Sequence, residues 1–170
     1  MIFAPGSYVL ILDDIRAARD VEVTWLAQSP KVQAADEAAH RFHLTKRQIS
    51  CDLQMASDRA FTAVVGVSTA ESHGRSAGWQ QLQAKAKGAT WRLATVFNAW
   101  NHPSSSVTLE PDGDNAAIVW VTAGDAAVDT WTWAAAPDRD TPSSLRCQRK
   151  DGSTFECGPA DKVSLPLASR

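Results

Sequence analysis

Apolar residues recur at every second position in run after run of this chain. A period of two places alternate side chains on opposite faces of an extended backbone, which is the pattern of half-buried strands and not of helices. "VEVTWL" sets Val21, Val23 and Trp25 on one face. "QISCDLQM" sets Ile49, Cys51, Leu53 and Met55 against Ser50, Asp52 and Gln54. "FTAVVGVS" gives Phe61, Ala63, Val65 and Val67, and "TWRLATVF" sets Trp91, Leu93 and Phe97 against Arg92 and Asn98. "SVTLE" adds Val107 and Leu109. "AAIVWVT" (116–122) is apolar on both faces and reads as a central strand covered on both sides. "KVSLPL" gives Val163, Leu165 and Leu167, with Pro166 suited to an edge or a strand end.

Turn residues separate these runs: Asp13-Asp14, Pro111 to Asp114, Gly124-Asp125, Pro137-Asp138 and Asp151-Gly152. Many short strands spaced by turns predict an all-β antiparallel β-sandwich of about twelve strands with little helix. "AADEAAH" (34–40) is read as a helical turn or two, and "AGWQQLQAKAKG" (77–88) as strand from about Gln81 onward. Residues 68–80 and 99–106 are polar, small-residue loops. No repeat or low-complexity segment divides the chain, so residues 1–170 read as a single domain.

Composition removes several classes of function. The formal net charge is −2, and no basic run exceeds a pair such as Lys46-Arg47, so no basic face points to nucleic acid. No apolar run approaches the ~20 residues of a membrane helix. "MIFAPGSYVLILDD" has no basic leader and is interrupted by Pro5 and Gly6, so it does not read as a signal peptide. Cys51 alternates with apolar neighbours and reads as a small buried hydrophobe. Cys147 and Cys157 flank an Asp-Gly turn: an odd-length loop centred on Gly152 opposes them, and a two-residue turn at Asp151-Gly152 misses by one. Spacing leaves a disulfide between them open.

Few side chains offer chemistry. His73 and Arg75 in "ESHGRS" have Glu71 nearby, and an Arg can clamp a carboxylate through two parallel hydrogen bonds; a solvated loop is the plainer reading. His40 and His43 share a face on a helix, where Glu37 completes a metal-ligand set, and lie on opposite faces of a strand; Phe42 and Leu44 favour the strand. His102 has no evident partner. "EPDGDNA" (110–116) has carboxylates at alternate positions but reads as a hairpin turn and not a calcium loop. No nucleophile elbow, phosphate loop or cysteine pair for zinc occurs, so neither cofactor nor metal is expected.

Seven tryptophans remain. Trp25, Trp91 and Trp120 lie in apolar strands and are expected inside. Trp131 and Trp133 alternate with Thr130 and Thr132, so one face of that strand is aromatic. A core position is expected for the pair; exposed, they would form a sugar-stacking strip. Trp79 and Trp100 stand at loop margins, placed to touch a ligand or a partner domain.

Three segments, taken in order, resemble a known family. "YVLILDDIRAARDVEVTWLAQS" (8–29) is a strand ending in Asp, a short link, then a strand carrying Trp. "HRFHLTKRQISCDLQMASD" (40–58) is a pair of strands with a short turn, and "WQQLQAKAKGATWRLATVFNAW" (79–100) is a Trp-led strand, a break and an apolar strand. Together they resemble the C-terminal β-sandwich region of heparinase II/III-like polysaccharide lyases. The resemblance implies a sandwich that meets a helical domain at a cleft for an acidic polysaccharide, where β-elimination takes place, in a periplasmic or secreted setting. It carries no His- and Asp-rich metal cluster here; Gln28 stands where a histidine is frequent, and the sole tyrosine, Tyr8, sits in an apolar strand. The implied role is therefore non-catalytic. The chain supports a helical catalytic domain or lines its acidic-polysaccharide cleft, with His73, Arg75, Trp79 and Trp100 as candidate substrate contacts and no catalytic residue. The alternatives are an independent carbohydrate-binding module using exposed tryptophans, and a structural or interaction domain without a sugar ligand.

Overall fold

The alternating runs become strands in the computed structural model, which describes residues 2–4, 8–67, 78–99, 105–113, 116–123, 127–134 and 144–157 (for 2–4, 99, 123, 127–128 and 157, the backbone only). Twelve strands occur among the described residues: β1 (Ile2–Ala4), β2 (Tyr8–Ser29), β3 (Lys31–Asp36), β4 (Arg41–Lys46), β5 (Ile49–Ser57), β6 (Thr62–Val67), β7 (Gln80–Ala99), β8 (Ser105–Pro111), β9 (Ala116–Ala123), β10 (Ala127–Ala134), β11 (Ser144–Gln148) and β12 (Thr154–Cys157). All pairs are antiparallel. A seven-stranded sheet runs β1-β2-β7-β5-β4-β3, with β6 also on β7, and a five-stranded sheet runs β12-β11-β10-β9-β8. The protein is an all-β sandwich of two packed antiparallel sheets.

The seven-stranded sheet also folds back on itself. Arg16 pairs with Thr90 and Val21 with Gly88, so residues 17–20 of β2 stand opposite Ala89 alone. Such an excess of residues on one strand bends it and sharpens its twist. Gly88 takes φ 153° at this corner. The bend is severe: the Trp25 indole donates to Asp13 at 3.2 Å, although twelve residues of straight strand would span about 40 Å. The uneven count also changes which face of β7 looks inward. Ile15 pairs with Trp91 before the bend, whereas Val23 and Trp25 pair with Ala86 and Ala84 after it.

Three layers result. One core lies between the five-stranded sheet and the first half of the folded sheet, built from Leu10, Val96, Val107, Val119, Trp131 and Trp133, among others. A second lies between the two halves of the folded sheet and includes Phe42, Leu53, Met55, Leu82, Trp91 and Leu93. The middle layer is covered on both sides, so residues 91–96 of β7 are buried without a break. Trp91 and Leu93 face the second core, while Ala94 and Val96 face the first.

Several expectations are corrected. Residues 34–40 form no helix: β3 continues to Asp36, and Glu37 to His40 make the turn into β4, with His40 at φ 47°. The strand covered on both sides is the later half of β7 and not β9, because the outward-facing Ile118 and Trp120 of β9 are only half-buried. Trp25 is likewise half-buried: it lies past the bend and packs against the margin of the second core. Ile49 and Val67 continue an apolar rhythm yet lie exposed, as each ends its strand beyond the second core. The strands on either side of the turn within 110–116, β8 and β9, do pair antiparallel as expected, with Pro111 opposite Ala117. Cys147 pairs with Phe155 and Cys157 with Leu145, so the two cysteines are offset by two positions along the β11–β12 ladder and are not directly opposed. The run 162–167 lies outside the described residues.

Candidate functional site

Folding the long sheet brings both ends of β7 to the β4–β5 turn. At the start of β7, Trp79 lies under the Lys46 ammonium, 5.7 Å from ring centroid to Nζ. Lys46 pairs with Ile49 across the turn, and two residues on Cys51 pairs with Ala99 at the far end of β7. Val32 N–H donates to the Gln80 side chain and locks the start of β7 beneath β3. Trp79 is 38% exposed and Ile49 51% exposed, so part of the indole and an aliphatic side chain stand in solvent beside the charge of Lys46. A cation over an indole is attracted by the ring quadrupole, and that attraction holds both side chains in place.

Of the residues singled out in the sequence, Trp79 is at this site. His73, Arg75 and Trp100 lie outside the described residues, as does His102. Lys46 was visible in the sequence but too isolated to mark a nucleic-acid face; its partner Trp79, 33 positions away, emerges only when the sheet folds.

On the opposite face of the same hairpin, His43 Nδ1 lies 2.6 Å from Asp52 Oδ1. A two-residue turn at Arg47-Gln48 puts these residues opposite each other, so the pairing was legible once the hairpin was drawn. His40 is elsewhere, stacked on Phe61 with ring centroids 4.1 Å apart, so the two histidines do not converge. Among the described residues no group of three His, Cys, Asp or Glu side chains is placed to hold a metal ion. Asp52 in turn pairs with Asn98, whose amide donates to the Ser105 carbonyl at 3.3 Å. Asn98 Oδ1, Ser105 Oγ and Arg41 Nε are buried nearby without a hydrogen-bond partner. They are sealed from solvent, and together they form the polar end of the first core. Burial pushes the Cys51 thiol above its usual range, and Asp52 adds to that, so Cys51 is not an activated nucleophile.

Tyr8 offers no acid–base chemistry to a substrate. Its hydroxyl donates to Asp129 at 2.7 Å and accepts from the Trp131 indole at 3.1 Å. Asp129 also lies 3.7 Å from the Arg149 guanidinium. Burial, then the bond to Asp129, push the phenol far above its usual range. It stays protonated, enclosed and committed to a bridge between β2 and β10.

Trp131 and Trp133 are 1% and 4% exposed, so the aromatic face of β10 is core and not a sugar platform. The Asp13–Trp25 contact has a pH signature. Half-burial raises the Asp13 carboxyl despite the indole bond, which opposes the shift. An acid whose folded-state pKa lies above its unfolded value weakens folding once pH rises past that range, and the penalty is absent below the ordinary carboxylate range. Asp13→Asn keeps an oxygen acceptor for Trp25 and removes the buried charge. Its melting temperature is expected to equal or exceed that of the wild type at neutral pH, and the gap should close on acidification; thermal melts across pH check this.

Among the described residues no helix is long and apolar enough to cross a membrane. Compared with known proteins, the chain matches no family profile, no curated sequence and no solved structure.

Proposed function

We propose that the chain is a non-catalytic β-sandwich domain of the kind found in the C-terminal part of heparinase II/III-like polysaccharide lyases, lining an acidic-polysaccharide cleft beside a helical catalytic domain. The observation that carries this reading is the paired Lys46 and Trp79 at the β4–β5 turn. An indole edge supplies apolar area for a sugar ring, and the adjacent ammonium supplies a counter-charge for a uronate or sulfate. Arg47 follows in the turn, and Arg75 lies in the segment between Val67 and Gly78. Two further features support the reading. The segment with a strand ending in Asp and a strand carrying Trp is one structural unit, with Asp13 and Trp25 in contact. The sole tyrosine is sealed, which fits a domain that does no chemistry of its own.

The test is titration with heparin, alginate and hyaluronate, followed by tryptophan fluorescence and affinity electrophoresis, with neutral dextran as control. Acidic chains should bind in a salt-sensitive way, and Trp79→Ala and Lys46→Ala should each weaken binding roughly tenfold, about 1.4 kcal/mol. No unsaturated uronate should form. Binding unaffected by both substitutions would remove the site, and turnover by the chain alone would remove the non-catalytic role.

A further inference from the structure

We infer that the glycan contact proposed above, on which this inference rests, continues as a track along the outer face of β7 and takes an extended acidic chain. The first half of β7 alternates. Leu82, Ala84 and Ala86 are buried in the second core, and Gln81, Gln83, Lys85 and Lys87 line the opposite face. Beside them β2 presents Glu22, Thr24, Leu26 and Gln28, all exposed. Trp79, under the Lys46 ammonium, stands two residues ahead of Gln81 at the head of the row. From Trp79 to Lys85 the extended backbone covers roughly 20 Å.

The chemistry of this face selects the occupant. Gln83 Nε2 donates to Gln81 Oε1 at 2.8 Å, which holds both amides along the strand. Each amide keeps further hydrogen-bonding capacity for sugar hydroxyls. Val64 and Leu26 flank Gln83 in one cross-strand row and are 50% and 52% exposed. They offer apolar footing to the C–H face of a sugar ring on either side of a polar spine. Charge sets the sign of the ligand. The whole chain carries −2, yet Lys46 and Arg47 stand at one end of the track and Lys85 and Lys87 at the other. Glu22, opposite Lys87, is the acid among the described residues of this face. Lys85 and Lys87 also wall a groove of about 260 Å³ that includes Phe61 and Ala86, so an anionic group entering it meets two ammoniums against one carboxylate. A polymer held at Trp79 reaches that groove without a second encounter from solution, and its far contact is strengthened by the link.

Calorimetric titration with disaccharides and octasaccharides prepared from heparin and from alginate tests the track. The octasaccharide of at least one series should bind on the order of tenfold more tightly than its disaccharide. The double variant Lys85→Gln, Lys87→Gln should remove most of that gain and leave disaccharide binding unchanged. Leu26→Glu, which sets a carboxylate in the middle of the face, should do the same. Trp79→Ala should weaken both lengths. Amide resonances of Gln81, Gln83 and Lys85 should shift with the octasaccharide and not with the disaccharide. Thermal melts of the exposed-face variants should match the wild type, which separates lost binding from lost folding. Affinity independent of length, a gain that survives both sets of face substitutions, or octasaccharide shifts confined to the β4–β5 turn would overturn the track while leaving the contact at Trp79 in place. Absence of binding by every oligosaccharide would overturn the proposed function, and the track with it.

Discussion

Truncating Trp131 to alanine is expected to cost about 3–5 kcal/mol, the range for removing a large aromatic side chain from a packed core. The ring is 1% exposed and lies between the two sheets with Leu10, Val96 and Val119 around it. Its loss opens a cavity there. It also strips the Tyr8 hydroxyl of its indole donor, although Tyr8 keeps Asp129. Urea unfolding gives the number. Tyr8→Phe is the informative companion, since it keeps the ring and removes only the bridge, leaving the Trp131 N–H buried without its acceptor at about 1–3 kcal/mol. A Trp131→Ala loss no larger than that of Tyr8→Phe would mean that the indole contributes through its bond and not through its volume.

Trp91→Ala should be comparably severe, about 3–5 kcal/mol, but in the other core. Trp91 is 2% exposed, stands beside Phe61 and donates to Ser57 Oγ at 2.8 Å. Ser57 closes β5 at the point where the chain leaves β7 and rejoins it as β6, so the substitution leaves its hydroxyl with the Arg59 N–H as donor but without the indole. Both cores rest on the middle layer. The variant should therefore still unfold in one transition, with far- and near-ultraviolet circular dichroism changing together. A separate early transition in one signal would show that the layers are held independently.

The strands were legible in the sequence because each alternating run has one buried face, and a single register satisfies it. Val107 and Leu109, and Trp131 and Trp133, went inside as their spacing required. What could not be read was the corner. "RAARD" at 16–20 contains no proline or glycine, and its four unpaired residues show only when Arg16 and Val21 are seen against Thr90 and Gly88. Without the corner, Trp25 and Trp91 look equivalent, and the covering of "TWRLATVF" on both faces is hidden because Arg92 and Thr95 occupy inward positions. Arg92 is tolerated there by donating to the Ala116 carbonyl at 2.8 Å. The candidate site was half-legible for the same reason: Trp79 stood out at a loop margin, while its neighbour Lys46 depends on the fold-back.

Residues 91–96 of β7 have no outside. On most strands a neutral drift of sequence is absorbed by the wet face; here every substitution falls in one core or the other. Selection can thus act on the tips of this domain, where segments enter and leave the β4–β5 turn, without touching the spine that holds them. That division confines tolerated change to the tips while the centre stays nearly fixed.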